Sequence, residues 1–519
     1  MIIGDVIERN ARCYRNHPAL EFEGRTLTHG EFARRVGQLV NALVSADIHK
    51  GERLAVLSRN CPEYLEVYGA AGLGGHIAVG LNYRLSAKEQ GDILADAHPA
   101  ILFFEAEYTT RVDELRRSLP SNTRLVCFDG SAPSWASEYE SLLCTASAAP
   151  LASRASEEDT FLLIYTSGTT GVPKGVMLGN EGQLEQARVQ ALAHAATQRD
   201  RMLIVMPFYH IGGPTELLTF LVAGATIVLH RQFAAAEVLK SIEEHRVTCA
   251  HLAPTMIGML LEHQEAAPRD VSSLHTICYA SAPMSVALSL RARQVFGPNF
   301  MQIYGMTEAG LGSCLLKHQH LPEGTDVERG RLASAGQPYL GTDLRIVSDD
   351  GSDCAVGEIG EVCMRSKSVM QGYWRKPEAT AEALQGGYLH TGDMGYLDED
   401  GFLFIVDRKK DMIISGGENI YSREVEEALL LHSAVSEAAV IGIPDSKWGE
   451  AVLAVIVLRA GVQIDQTALD AHCRERIAGY KRPRHYQFLP EMPRVPSTSK
   501  IDKRALRSPH WTDQSRQVS

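Results

Sequence analysis

An apolar run, Phe161-Leu-Leu-Ile164, leads straight into Tyr165-Thr-Ser-Gly-Thr-Thr-Gly-Val-Pro-Lys-Gly175. The run reads as a buried strand. The string after it packs four hydroxyls (Thr166, Ser167, Thr169, Thr170), three glycines (Gly168, Gly171, Gly175) and one cation, Lys174, into a single turn region. Glycines let backbone N–H groups approach a polyanion, hydroxyls add donors, and the lysine adds charge. A strand feeding such a loop is expected at a polyphosphate site. The spacing is not that of the common nucleotide P-loop, in which Ser or Thr follows the lysine; here Gly175 follows.

The rest of the chain fits a strand–loop–helix architecture. Residues 1–150 alternate helical and extended patterns. Thr28 is placed to cap a helix from about Gly30, and Pro62 opens another. Ser86-Ala-Lys-Glu89 is a capping box. Arg53–Ser58, Ile101–Phe104 and Leu125–Phe128 read as short buried strands, and 130–158 as a loop. After the phosphate string, Asn180 is expected to cap a helix reaching about Gln198. Strands follow at Arg201–Met206, Thr226–Leu229, Thr248–Leu252, Thr276–Tyr279 and Phe300–Tyr304, with helices between. Such alternation predicts parallel sheets covered by helices. Ligands sit at the carboxyl ends of strands in such sheets. The loops after Ile164, Met206, Tyr279 and Ile303 are therefore expected to converge. From about 336 the pattern turns to short strands split by Asp/Gly turns, a β subdomain to about 407. Asp407-Arg-Lys-Lys-Asp411 reads as a charged linker, and 411–519 as a small α+β domain.

Composition narrows the function. With 519 residues and 45% hydrophobic content, the chain is too long for one ordinary domain. A net charge of −12 argues against a nucleic-acid partner and a polybasic membrane anchor. Ten cysteines without a CxxC pair read as reduced core residues, and the acidic start does not resemble a signal peptide. No apolar run approaches the ~20 residues of a membrane span. A cytoplasmic protein is expected. Peripheral membrane contact stays open for a lipid substrate, and a homodimer is compatible with this reading.

The phosphate string resembles that of the adenylate-forming enzymes: acyl-CoA synthetases, peptide-synthetase adenylation domains and beetle luciferases. Five further stretches, in family order, carry the same resemblance. Ala280-Ser281-Ala282-Pro283 is similar to the adenine-edge motif, with Ala280 and Ser281 where the family often has glycines. Tyr304-Gly-Met-Thr-Glu308 matches a motif in which the tyrosine lines adenine, Thr307 contacts the α-phosphate and Glu308 binds the metal. Tyr388-Leu-His-Thr-Gly-Asp393 matches the segment whose aspartate holds the ribose hydroxyls. Asp407–Asn419 matches the segment in which Arg408 contacts ribose or phosphate, Lys410 is the hinge, and Ser415, Gly416 and Gly417 approach coenzyme A. Pro496–Lys500 resembles the terminal motif with the catalytic lysine, Lys500; Ser499 replaces a glycine.

The resemblance assigns carboxylate orientation to His210, and an acyl pocket to His210, Gly212, Ala280, Gly305, Met306 and Gly310, with Gly213 leaving room beside Gly212. It implies a large α/β domain over 1–407, a hinge at 408–410 and a mobile lid over 411–519. It also implies ATP, Mg2+ and coenzyme A, and an acyl-CoA synthetase acting through an acyl-adenylate on a medium- or long-chain fatty acid or similar hydrophobic carboxylate. Aryl or alicyclic acid ligases and acyl-AMP ligases that load a carrier protein are the alternatives. A non-catalytic nucleotide-binding protein fits less well, because Lys500, Asp393 and Glu308 are all present.

Overall fold

The computed structural model describes residues 1–166, 173–280, 284–495 and 500–511. The chain divides into two compact units. One comprises Met1–Leu344, Met364–Leu389 and Gly401–Leu403; the other comprises Arg345–Cys363, His390–Asp400 and Phe404–Ser519. Residues 345–363 and 390–400, which precede residue 407, fall in the second unit.

The first unit holds two large sheets. The eight-stranded sheet is parallel through its centre, with Thr160–Thr166, Ile77–Gly80, Arg53–Leu57, Ile101–Phe104 and Arg124–Cys127 side by side. The nine-stranded sheet has a parallel core of Thr226–Leu229, Arg201–Ile204, Cys249–Leu252, Thr276–Tyr279 and Phe300–Met306. Its central strands are apolar in near-continuous runs, as sheets covered on both faces require. Helix Pro62–Gly74 is buried at every position, and a helix apolar all round belongs inside a core. Its fully buried charge, Glu66, is met by Arg35 Nε at 2.6 Å and by the Tyr139 hydroxyl at 2.7 Å. The Tyr68 hydroxyl donates to the Phe208 carbonyl, beyond strand Arg201–Ile204. This helix therefore ties the core of one sheet to the loop that carries His210.

Local signals account for most helix starts. Thr28 and Ser86 both close capping boxes, with Glu31 and Glu89, each worth about 1 kcal/mol. Two expectations need correction. Asn180 is the first residue of helix Asn180–His194 and not its cap. Its side chain instead accepts from Ile3 N at 2.8 Å and donates to Gly72 O at 3.1 Å, a tertiary use that outweighs local capping. That helix stops at His194 because Ala195 is left-handed (φ 53°). The expected loop at 130–158 contains strand Ser137–Glu138 and helix Tyr139–Cys144; the fully buried Tyr139 anchors them to Glu66.

A five-stranded sheet follows, built from Asp343–Val347, Gly360–Arg365, Tyr388–Leu397, Leu384–Gln385 and Leu403–Arg408. The last sheet of the second unit pairs Val435–Asp445 with Gly449–Leu458 along most of their length and adds Ile413–Ser415, Glu418–Ile420 and His485–Phe488. Helices Ser422–Leu430 and Gln466–Arg474 pack on it through Val425, Leu429, Leu469 and Cys473. All ten cysteines are free thiols. Among the described residues, no helix is long and apolar enough to cross a membrane.

Candidate active site

Strand Thr160–Thr166 does not run into an open loop. It pairs antiparallel with Lys174–Gly179 and brings Thr166 opposite Lys174, so the phosphate string is the tip of a hairpin. Ser167, Gly168, Thr169, Thr170 and Gly171 lie outside the described residues. The base of the tip is braced. The Tyr165 hydroxyl donates to Asp96 Oδ2 at 2.6 Å, the Trp374 indole to Asp96 O at 3.1 Å, and Trp374 N to Gly175 O at 2.7 Å. Burial, and then Asp96, push the Tyr165 phenol above its ordinary pKa, so it stays a donor. Lys174 Nζ lies 4.8 Å from the centre of the Tyr373 ring, a cation–π distance that leaves the ammonium available at the tip.

Glu308 comes to this hairpin from the other sheet. Strands Phe300–Met306 and Gly310–Leu315 form a hairpin whose loop is Thr307-Glu308-Ala309. Gly310 closes it at φ +70°, the left-handed position such three-residue loops need. Glu308 Oε1 accepts from Thr166 Oγ1 at 3.3 Å and from the Tyr373 hydroxyl at 3.2 Å. Met370 N donates to the Glu308 carbonyl at 2.8 Å. The carboxylate is largely buried, and both hydroxyls reach the same oxygen, Oε1. A buried carboxylate held through one oxygen fits a hard divalent cation. Thr307 is buried beside it and Tyr304 is half-buried at the end of the strand. Of the four loops expected to converge, those after Ile164 and Ile303 meet at the Thr166–Glu308 contact.

The acyl-pocket candidates separate by environment. Gly212 N donates to His210 Nδ1 at 3.3 Å at the start of helix Gly212–Ala223. A Cβ at Gly212 would stand 3.6 Å from His210, His251 and Met206, in ordinary van der Waals contact with all three. Gly213 has a different job. A Cβ there would sit 2.8 Å from the Pro207 carbonyl, so this glycine lets the turn close. Gly305 and Gly310 likewise serve hairpin closure: a Cβ at Gly305 would lie 2.1 Å from Gly310 O, and one at Gly310 2.5 Å from Gln186 Oε1. Met306 and Ala280 are half-buried. Ser281, Ala282 and Pro283 lie outside the described residues.

In the second unit, Gly392 bends strand Tyr388–Leu397 at φ +69°. Thr391 Oγ1 donates to Val362 O at 2.7 Å and accepts from Asp393 N at 3.0 Å. This fixes the buried Asp393 carboxylate, whose Oδ1 is 2.6 Å from Arg408 Nε. The two residues assigned to ribose are thus neighbours. Arg408 ends strand Leu403–Arg408, so the expected linker at 407–411 is a strand end followed by the turn Lys409–Asp411. Asp407 is buried and accepts from the backbone and hydroxyl of Ser422; Asp411 pairs with Arg507 at 2.8 Å.

Lys500 follows the undescribed residues 496–499, Ser499 among them. Its carbonyl accepts from Val495 N at 2.8 Å, and Arg494 bridges Ile501. Although the residue is exposed, desolvation of the ammonium and then the Arg408 charge hold its pKa below the ordinary lysine value, with Asp393 opposing. Ser415, Gly416 and Gly417 form a tight hairpin. Gly416 and Gly417 take φ of +65° and +86°, as a two-residue turn of this hand requires. Gly416 N donates to Trp448 O at 2.8 Å, and Trp448 lies between Lys447 and Arg484.

A family model for AMP-binding enzymes matches residues 7–374, and one for the AMP-binding enzyme C-terminal domain matches 424–498. The chain belongs to the AMP-binding enzyme family. It is an adenylate-forming ligase of the acid–thiol class that uses ATP and magnesium. It is 38% identical over 487 residues to a feruloyl-CoA synthase from Amycolatopsis sp, covering 93% of this chain and 94% of that protein. It is 35% identical over 509 residues to a fatty acid–[acyl-carrier-protein] ligase, ScoC, from Streptomyces coeruleorubidus, covering 97% and 95%. The o-succinylbenzoate CoA synthetase of Bacillus subtilis, solved with its acyl-adenylate intermediate, superposes with a TM-score of 0.84 at 31% identity over 99% of both chains. The same protein has been solved with ATP and magnesium (TM-score 0.83, 31% identity, 96% of this chain and 98% of that one).

One group of buried residues escaped the reading of the sequence. Gln183, Gln186, Gln190 and His194 recur at spacings of three and four along helix Asn180–His194 and are all buried. They face Thr215, Glu216 and Thr219 of helix Gly212–Ala223. The signal was present as a helical period of polar residues, which apolar periodicity does not register.

Proposed function

We propose that the protein activates a hydrophobic carboxylic acid as its acyl-adenylate and transfers the acyl group to coenzyme A. The observation that carries this reading is the meeting of Thr166 with Glu308 across 142 residues of chain, which sets a carboxylate beside the phosphate string. Glu308 would hold magnesium, which neutralises phosphate charge when bound. In this reading Lys174 and the loop donors bind the leaving pyrophosphate. Thr307 donates to the α-phosphate, and His210 orients the acid. Asp393 accepts from the ribose hydroxyls, with Arg408 fixing its carboxylate and contacting the nucleotide.

The substrate carboxylate is itself the nucleophile, so catalysis consists of positioning and charge stabilisation. Lys500 supplies positive charge to the carboxylate and α-phosphate as the new bond forms. The coenzyme A thiol then attacks the acyl carbonyl and AMP leaves. The hairpin of Ser415, Gly416 and Gly417 serves that second step, and Lys410 is the point at which the chain switches between the two. We place the enzyme in the cytoplasm, where ATP and coenzyme A are found and where ten unpaired cysteines stay reduced.

Transfer to a carrier protein is the second reading, favoured by the likeness to the Streptomyces carrier-protein ligase. Pyrophosphate release over a panel of fatty, aryl and alicyclic acids, with coenzyme A, with a phosphopantetheinylated carrier protein, or with neither, tests both. Acid-dependent release that turns over only with coenzyme A supports the first reading. No release with any acid refutes it.

A further inference from the structure

The loop that carries His210 is held from the other sheet by one carboxamide. Strand Arg53–Leu57 runs out into segment 58–61, ahead of helix Pro62–Gly74. Asn60 lies in that segment and is 2% exposed. Its Nδ2 donates to Met206 O at 3.0 Å and to His230 O at 3.1 Å, and its Oδ1 accepts from Phe208 N at 3.0 Å. Two carbonyls and one N–H leave the amide a single orientation and use both of its donor hydrogens. Met206 and His230 stand just past the ends of the neighbouring parallel strands Arg201–Ile204 and Thr226–Leu229. Asn60 therefore pins two strand ends of the nine-stranded sheet to the eight-stranded one.

These bonds fall where they bear on His210. Met206 and Phe208 flank Pro207, whose carbonyl accepts from His210 N at 3.1 Å. Phe208 O accepts from the Tyr68 hydroxyl. The buried Phe208 ring meets Tyr64 and Tyr68 edge-on, at 5.4 and 5.8 Å. Strand Ile77–Gly80 backs the next residue: a Cβ at Gly80 would stand 2.7 Å from Tyr209 Cα. His210 thus follows a stretch of backbone fixed on both sides of Pro207. Asn60 has a support of its own. Ser58 Oγ and Arg59 N donate to Glu105 Oε2 at 2.8 and 2.9 Å, and Arg231 pairs with Glu105 Oε1.

We infer that Asn60 is a positioning residue for the acid: through the 206–210 loop it sets His210 against the substrate carboxylate. The inference rests on the reading above that His210 orients the acid, and deepens it. An asparagine that served stability alone would matter equally with or without the His210 imidazole. One that positions His210 matters only while the imidazole is there.

A double-mutant cycle on the full chain separates the two. Asn60→Asp keeps the size of the side chain but sets a carboxylate oxygen against two carbonyls. Wild type, Asn60→Asp, His210→Ala and the double variant are compared by acid-dependent pyrophosphate release. The acids are a panel that includes octanoate, 3-phenylpropanoate and cyclohexanecarboxylate, and the best of them is carried through. Asn60→Asp should lower kcat/KM for the acid about 10- to 100-fold, as a displacement of about 1 Å can, while KM for MgATP changes less than about 2-fold. In the His210→Ala background the same change should cost less than about 2-fold. Tyr68→Phe removes the other bond to the loop at the loss of one oxygen atom, and serves if Asn60→Asp does not fold. It should lower kcat/KM for the acid about 3- to 10-fold, again only when His210 is present.

Equal losses in the two backgrounds, a loss that falls on KM for MgATP, or an undiminished kcat/KM would overturn the inference and leave the ligase standing. A His210→Ala enzyme with the wild-type kcat/KM would do the same. No release from wild type with any acid of the panel would defeat the ligase reading, and the inference with it.

Discussion

Arg507→Ala should destabilise the second unit. Arg507 Nη2 is 2.8 Å from Asp411 Oδ1, and the two side chains are only 15% and 14% exposed. Removing one partner of such a pair leaves a buried charge and costs about 3–5 kcal/mol. Asp411 keeps favourable interactions with Lys503 and Lys410, which sets the expectation at the lower end, about 3 kcal/mol. For a unit of this size each kcal/mol moves the midpoint by roughly 3 °C, so the shift should be about 10 °C. Scanning calorimetry on the full chain provides the assay. Asp411→Leu/Arg507→Leu removes both charges and should fall within about 1 kcal/mol of wild type.

Burial raises the Asp411 pKa, but Lys503 and Arg507 bring it below the ordinary carboxylate value. The stabilisation is thus complete above about pH 4 and is lost as pH falls through the folded-state value. The difference between wild type and Arg507→Ala should shrink on the same descent. A shift under 2 °C at neutral pH, or a double-leucine variant as unstable as the single one, would refute the reasoning.

Further expectations concern the chemistry. In the role proposed for it, Lys500 acts protonated at the adenylation step, and its pKa lies below the usual 10.5 because of desolvation and then Arg408, with Asp393 opposing. The alkaline limb of adenylation should therefore move to lower pH in Asp393→Asn and to higher pH in Arg408→Gln; pH–rate profiles in which both move the same way would contradict this. Glu308→Gln should lower kcat/KM for MgATP about 100-fold and be partly rescued by excess magnesium, while binding of ATP without magnesium stays near wild type in calorimetry. In Gly416→Ala a Cβ would stand 2.6 Å from the Trp448 ring at φ +65°. Local strain of about 1–3 kcal/mol should slow thioester formation and spare acid-dependent pyrophosphate exchange.

Much of this was legible from residues alone. The capping boxes at Thr28 and Ser86, the apolar runs of the parallel strands and the Gly416-Gly417 turn are local signals whose physics does not depend on the rest of the chain. The misses share a cause: tertiary context. Asn180 has a good cap side chain, but it is spent on Ile3 and Gly72. The charged run at 407–411 reads as solvated linker, yet Ser422 and Arg507 take up two of its carboxylates. Gly213, Gly305 and Gly310 read as space for a substrate, whereas each accommodates a backbone or side chain of the protein itself. The Gln183–His194 row went unread because polar residues at helical spacing count as surface until a second polar helix, here that of Glu216, is laid against them.

Lys500→Ala separates the two half-reactions most directly. Acid-dependent exchange of labelled pyrophosphate into ATP should fall by about 100- to 1000-fold, while thioester formation from a supplied acyl-adenylate and coenzyme A proceeds near the wild-type rate. Equal loss of both half-reactions, or undiminished exchange, would contradict the assignment of Lys500 to acyl-adenylate formation.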